Sequence, residues 1–153
     1  MSADPDRALL AAALAFAGAA VAGSAVAIRE DLPGQPCGIS VPLSVPTGLL
    51  AGWGAGVAAP WSMPVTAVIT AARSQRTQPC ALAGAVCAGI GIGCVLGTAI
   101  EPVTRRPRSW SPATRLAIMF NMAASAALTV AGWRHLVAAR RSYDRRTRQT
   151  RSA

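Results

Sequence analysis

The sequence has no lysine, a single histidine and only six acidic residues in 153 positions, so few side chains are available as acids, bases or metal ligands. One histidine, His135, is too few for the usual zinc ligand sets. The four cysteines form no CxxC pair, which argues against a thiol oxidoreductase. We therefore expect no metal, no cofactor and no enzymatic activity.

Charged side chains are scarce as well, since 14% of the residues are charged, against about 25% in a typical soluble domain. Hydrophobic residues make up 52% of the chain. All fifteen basic side chains are arginine. Together with the abundance of alanine and glycine, we interpret this as the codon usage of a GC-rich prokaryotic genome. The composition indicates a membrane protein.

Four apolar stretches are long enough to cross a hydrocarbon core of ~30 Å, which takes ~20 helical residues. We predict an all-α, polytopic membrane protein with four transmembrane helices in a compact bundle, within a domain of residues 1–139. The four spans are expected at about 8–28, 48–72, 80–100 and 112–133 or slightly beyond.

The second span contains Pro60 and Pro64. Proline removes a helical hydrogen bond and disfavours a helical conformation in the residue before it. The two prolines therefore predict a second helix that is kinked or broken after Ala59.

The first span ends in a small-residue run at 25–27 that resembles a signal-peptide cleavage site. The residues before this span carry two aspartates and one arginine, whereas a signal peptide requires positive charge there. The apolar run also exceeds the usual ~7 to 15 residues. We expect this segment to be a membrane span and not a cleaved leader.

Arginines are unequally distributed between the two sides of the predicted bundle. With both termini cytoplasmic, ten arginines lie on that side and five on the other. The ten are Arg7, Arg73, Arg76 and the seven arginines after residue 133. This imbalance favours that orientation in a cell membrane, although three of the other five cluster in the loop at 101–110 and oppose it.

The last residues, 140–153, are rich in arginine and are predicted to form a disordered cytoplasmic tail. We expect the tail to contact anionic lipid head groups, because basic residues near a membrane surface are attracted to them. Nucleic-acid binding is disfavoured, since Tyr143 is the only aromatic residue interleaved with these arginines.

Glycines crowd the third span, where residues 88–97 read AGIGIGCVLG. A dinucleotide-binding GxGxxG turn requires a preceding strand and a different last spacing, so we reject that interpretation. Instead, every fourth residue on one side of the helix is small, the pattern through which membrane helices approach closely. The second span repeats the pattern. The predicted packing glycines are Gly48, Gly52, Gly56, Gly89, Gly93 and Gly97.

These small-residue stripes predict packing within the bundle or assembly into a homo- or hetero-oligomer. We expect the third span to lie in the middle of the bundle with the second span against it. The competing interpretation is that GC-rich codons scatter glycine and alanine without regard to structure.

Polar side chains recur within two of the spans. Asn121, Ser125 and Thr129 share one side of the fourth span, and Ser62 and Thr66 lie in the second. A buried amide costs several kcal/mol unless it is hydrogen-bonded, so Asn121 is expected to have an interhelical partner or a water-filled neighbourhood. These side chains either join helices or line a permeation site.

Two further contacts are expected near the ends of the spans. Glu101 and Arg115 flank the third loop and can form an ion pair at the rim of the bundle. Cys94 lies about 9 Å from the outer end of the third span, so a disulfide with Cys37 in the first loop is possible.

No ionisable residue lies deep inside any span, which argues against proton-coupled carriers and intramembrane hydrolases. The favoured function is a non-catalytic accessory or assembly subunit, or a self-associating bundle, packed through its glycine stripes. The alternative is a small uncoupled channel or transporter protomer that uses the kinked second span and Asn121.

Overall fold

The structure is a computed structural model that describes residues 4–35, 38–75, 80–106 and 110–151. Within these ranges every regular element is a helix, so the predicted all-α class is confirmed. The helices are α1 (Pro5–Arg29), α2 (Val45–Ala51), α3 (Ser62–Ser74), α4 (Ala81–Ile100) and α5 (Pro112–Arg151).

Three of these helices, α1, α4 and α5, are long and apolar enough to cross a membrane. The prediction of four spans is not confirmed, because the second stretch is divided between α2, with 7 residues, and α3, with 13. At 1.5 Å per residue neither is long enough to cross ~30 Å of hydrocarbon alone. The three long helices are compatible with a membrane-embedded protein.

The break in the second stretch begins earlier than the prolines predict. Helix α2 ends at Gly52, which has a left-handed φ of 90°, and Gly54 follows with a φ of 82°. Both conformations are easily adopted only by glycine. Pro60 disfavours a helical conformation at Ala59, and α3 begins at Ser62. The result is an irregular segment, residues 52–61, inside an apolar stretch.

The four longer helices form a four-cornered arrangement. Both α1 and α4 contact α3 on one side and α5 on the other, while α2 lies against α1. Helix α4 is therefore a corner of the bundle and not its centre, although α3 does lie against it. The core between the helices contains Leu9, Phe16, Cys87 and Leu128, all fully buried.

Helix α5 begins where the sequence predicts, with the Ser111 hydroxyl accepting a hydrogen bond from the backbone N–H of Thr114 at 3.0 Å. It does not end near residue 133 or 139, but continues to Arg151. Residues 140–151, expected to be disordered, are thus helical in the structure. The physical reason is that arginine is a good helix former and that no glycine or proline follows Gly132.

Candidate functional site at the break in the second apolar stretch

Several backbone N–H groups of the irregular segment 52–61 are hydrogen-bonded within the protein. The N–H of Gly56 donates to the carbonyl of Leu32 at 3.1 Å, and the N–H of Trp61 donates to Leu49 at 3.1 Å. Ala55 and Ala58 bond to each other through their backbones. Non-helical backbone is tolerated at membrane depth only when it is bonded in this way or lines a water-filled cavity.

Asn121 supplies a further bond to this segment. Its side-chain amide donates to the carbonyl of Val57 at 2.9 Å, to Ala117 of its own helix at 3.0 Å and to Ala19 of α1 at 3.3 Å. Asn121 is 4% exposed, so the amide has the interhelical partners that its burial requires. It joins α5 to both α1 and the irregular segment.

Gly23 of α1 makes room for this contact. A Cβ atom at Gly23 would lie 2.6 Å from the Asn121 amide nitrogen and 2.6 Å from the Val57 carbonyl oxygen. Both distances are shorter than van der Waals contact allows. Glycine at this position is therefore required for the three segments to meet.

A cavity of about 160 Å³ lies between the irregular segment, α4 and α5. It is large enough for several water molecules, each of which takes up ~30 Å³ in the liquid. The polar side chains that line it are Thr98, Glu101, Asn121 and Ser125.

Glu101 is the one carboxylate in the lining of this cavity, and it is only 7% exposed. Its two oxygens accept the backbone N–H of Gln35 at 3.1 and 3.3 Å. Burial raises the pKa of Glu101, an effect that the hydrogen bond from Gln35 partly opposes. In the part of the chain that the structure describes, no basic side chain comes within ion-pair distance of it.

The predicted ion pair between Glu101 and Arg115 is therefore not formed. Glu101 follows the last residue of α4 in an extended conformation and turns inward to Gln35. Arg115 lies on the exposed side of α5. The two residues lie near one end of the bundle, but the structure does not bring their charges together.

Of the other predicted polar residues, one lines the cavity and three do not. Ser125 is 1% exposed and lines the cavity. Thr129 donates its hydroxyl to the Ser125 carbonyl of its own helix at 2.9 Å. Ser62 and Thr66 lie on the exposed side of α3, away from the cavity lining. Only Asn121 and Ser125 of the predicted permeation residues belong to the cavity.

The predicted packing glycines of the second span do not form one stripe. Gly48 lies in α2, where a Cβ atom would be 2.9 Å from the Gly54 carbonyl oxygen. Gly52 ends α2 and has open space around it, while Gly56 lies in the irregular segment against Val103. The cause is the early end of α2, which takes these residues out of a common helical periodicity.

On α4 the close helix contact is made by the face opposite to the predicted glycines. A Cβ atom at Gly84 would lie 2.6 Å from the Gly132 carbonyl oxygen of α5, and one at Gly91 would lie 2.6 Å from the Ser125 carbonyl oxygen. A Cβ atom at Gly89, Gly93 or Gly97 would meet nothing within 4 Å. Packing through these last three glycines stays a prediction for contacts with another chain.

The cysteines show no metal-binding arrangement in the described ranges. Cys94 is buried, with its sulfur 3.4 Å from the sulfur of Met63. Cys37 lies outside the described residues, so the disulfide with Cys94 stays a prediction.

Two polar contacts at opposite ends of the bundle were not expected from the sequence. Glu30, next to α1, accepts the hydroxyls of Thr114 at 2.6 Å and Ser111 at 2.7 Å. Both hydrogen bonds lower the pKa of Glu30, and the bond from Thr114 has the larger effect. The cap at Ser111 is visible in the sequence, but nothing there identifies the carboxylate that it binds.

At the other end, His135 is 1% exposed. Its Nδ1 lies 2.9 Å from a carboxylate oxygen of Asp6, a distance typical of an ion pair but without hydrogen-bond geometry. Its Nε2 lies 3.3 Å from the carbonyl oxygen of Cys80. The single histidine thus connects α5 to the beginnings of α1 and α4.

The fold and site define a helical protein with three helices fit to cross a membrane and a polar cavity beside a broken helix. Comparisons with protein-family models, curated proteins and solved structures found no match to this chain. Its function is therefore argued from the geometry alone.

Proposed function

We propose that this chain is a multi-pass protein of the cell membrane, with both termini cytoplasmic, that has no catalytic role and self-associates through the outer face of α4. We define the α4 outer face as the exposed side of the helix that carries Leu82, Ala85 and Gly89. The observation that supports this proposal is that this face is exposed and that a Cβ atom at Gly89 would meet nothing within 4 Å.

The opposite side of the same helix supports the proposal by comparison. There, Gly84 and Gly91 let the backbone of α4 approach that of α5 closely, and Gly132 does the same from α5. Lipid tails are as apolar as leucine, so membrane helices associate through close packing at small residues and not through hydrophobic burial. The α4 outer face likewise carries small residues at helical spacing, Ala85 and Gly89.

The exposed residues beside the glycines are suited to such a contact. Leu82, Ile92 and Leu96 project from α4 and are 67%, 48% and 58% exposed. Large side chains beside a groove of small residues can interlock with a second copy of the helix, as in other small-xxx-small contacts.

Replacing one glycine with leucine tests the proposal. We expect purified wild-type protein in mild detergent to form a defined oligomer by light scattering, and Gly89→Leu to be a monomer with an unchanged helical spectrum. Gly18→Leu is the matched control, because Gly18 is an exposed glycine of α1 with no neighbour within 4 Å. A monomeric wild type, or equal dissociation in both variants, contradicts the proposal.

A second candidate function is passage or binding of a small cation at the cavity. The observation that favours it is Glu101, a buried carboxylate that lines the cavity without a basic partner among the described residues. Broken helices line the binding sites of many membrane transporters. An unpaired buried carboxylate is stabilised by a proton or by a cation.

Flux measurements test this second function. We expect wild-type proteoliposomes to conduct a small monovalent cation, and Glu101→Gln to reduce that flux at least tenfold. Glu30→Gln is the control, since Glu30 is the only other glutamate of the chain and is not part of the cavity lining. Absence of flux with the wild type, or equal flux in both variants, excludes this function.

A further inference from the structure

A groove of about 840 Å³ runs between α1 and α5 on the side of the bundle where α1 begins. Half of its lining residues are alanine, including Ala8 and Ala12 of α1 and Ala127 and Ala131 of α5. Because the side chains on both helices are small, they leave the groove between the helices unfilled. Such a groove in a membrane-spanning bundle is open to lipid.

The groove also contains two arginines. Arg134 and Arg141 lie two turns apart on the same side of α5, and both are exposed. Neither forms an ion pair with a carboxylate whose side chain the structure describes. Two positive charges thus face one end of an otherwise apolar groove.

The carboxylates closest in sequence on α1 do not neutralise these arginines. Asp6 lies 2.9 Å from His135, and Asp4 pairs with Arg7 at 3.9 Å. Each has a partner other than Arg134 or Arg141. The carboxylates of α1 therefore form no ion pair with the arginines of the groove.

The level of Arg134 along the bundle can be read from its neighbour His135. His135 contacts the carbonyl of Cys80, the residue just before α4 begins, so Arg134 lies near the level where α4 enters its apolar stretch. Ala127 is seven residues deeper along α5, or about 10 Å at 1.5 Å per residue. The groove is basic at the level where the apolar stretch of α4 begins and apolar from there toward Ala127.

We propose that this groove binds one anionic phospholipid. The phosphate lies between Arg134 and Arg141, and an acyl chain follows the alanines toward the middle of the bundle. Trp133, which also lines the groove, has the side chain that membrane proteins place at the level of the head groups. Basic pockets beside cytoplasmic helix ends recognise anionic head groups in the same way.

The experiment compares two lipids and two pairs of substitutions. Purified full-length protein in detergent is titrated with phosphatidylglycerol or with phosphatidylcholine of the same chains, and bound lipid is counted by native mass spectrometry. We expect one phosphatidylglycerol per chain, and binding of phosphatidylcholine at least tenfold weaker. Arg134→Gln with Arg141→Gln should weaken phosphatidylglycerol binding at least tenfold.

The control removes the same charge from the same helix. Arg140 and Arg145 are exposed on α5 but do not line the groove, so Arg140→Gln with Arg145→Gln should leave binding within twofold of the wild type. Equal loss in both double variants means that the basic tail attracts lipid without a site, which overturns the proposal. Equal binding of both lipids overturns it as well.

A second pair of variants tests whether the acyl chain of the lipid lies in the alanine groove. Ala127→Phe fills the groove and should weaken phosphatidylglycerol binding, while Ala123→Phe, at an exposed position of α5 outside the groove, should not. Circular dichroism of both variants establishes that they are folded. If a folded Ala127→Phe protein binds the lipid as tightly as the wild type, the alanine groove is not its binding site.

Discussion

The side-chain amide of Asn121 lies 2.9 Å from the carbonyl oxygen of Val57 and joins α5 to the irregular segment between α2 and α3. Val57 is 1% exposed, and its carbonyl oxygen lies where no continuous helix can satisfy it. The contact therefore holds the broken stretch in place and forms one wall of the cavity beside it.

Asn121→Leu is expected to destabilise the protein. Leucine leaves the buried Val57 carbonyl without a donor, which costs about 1 to 3 kcal/mol. Thr129→Val is the control, because the Thr129 hydroxyl donates to the Ser125 carbonyl of its own helix at 2.9 Å, so its removal breaks no bond between helices. Thermal unfolding in detergent measures both. A similar midpoint for the two variants contradicts a structural role for Asn121.

Gly23→Ala and Gly18→Ala are expected to change stability in opposite directions. A methyl group at Gly23 collides with Asn121 and Val57, and such overpacking costs about 1 to 3 kcal/mol. Gly18 has open space around it, so alanine there stabilises the helix by up to about 1 kcal/mol. Unfolding midpoints of the two variants measure the difference. Equal midpoints would mean that α1 does not approach Asn121 closely.

The sequence identifies helix beginnings better than helix faces. The start of α5 at Pro112 was predictable from Ser111, because capping is a local interaction. The packing face of α4 was not, since small residues recur at helical spacing on both of its sides. The periodicity shows that a helix face carries small residues. Which of the two faces meets α5 depends on the position of Gly132 in that other helix.

The cavity was only partly predictable for a related reason. Asn121 is conspicuous because an amide in an apolar helix requires partners, and it has them. Glu101 follows the end of an apolar stretch, where the sequence predicts a solvent-exposed carboxylate that pairs with Arg115. Its inward turn depends on the backbone N–H of Gln35, 66 residues earlier in the chain. No local sequence pattern identifies a hydrogen-bond donor as far away in the chain as Gln35.

Asp6→Asn is expected to lower the free energy of unfolding, because it removes the carboxylate that lies 2.9 Å from the Nδ1 of His135, a residue that is 1% exposed. Asp31→Asn is the control. It removes the same charge at an exposed position with a φ of 47°, a conformation that asparagine tolerates well. Unfolding measurements at one pH compare the two. A larger loss in the Asp31 variant would show that net charge, and not the contact with His135, decides the effect.

The two glutamates are expected to give opposite dependences of stability on pH. The pKa of Glu30 is lowered in the folded protein by the hydroxyls of Thr114 and Ser111. The stability that this carboxylate contributes is therefore complete above its ordinary value of 4.5 and is lost as the pH falls through the lower, folded value. Thr114→Val removes the stronger bond, so the melting temperature of this variant should fall less steeply in acid than that of the wild type.

Glu101 behaves in the opposite sense, because burial raises its pKa in the folded protein. The folded state then binds the proton more tightly than the unfolded state, so this residue lowers stability as the pH rises from 4.5 through the higher, folded value. Glu101→Gln keeps an acceptor for the Gln35 N–H but carries no charge. The variant should melt at a higher temperature than the wild type at neutral pH, and the difference should shrink as the pH falls toward 4.5. A lower melting temperature at neutral pH would mean that the Glu101 carboxylate is stabilised in its charged form, for instance by a bound cation in the cavity.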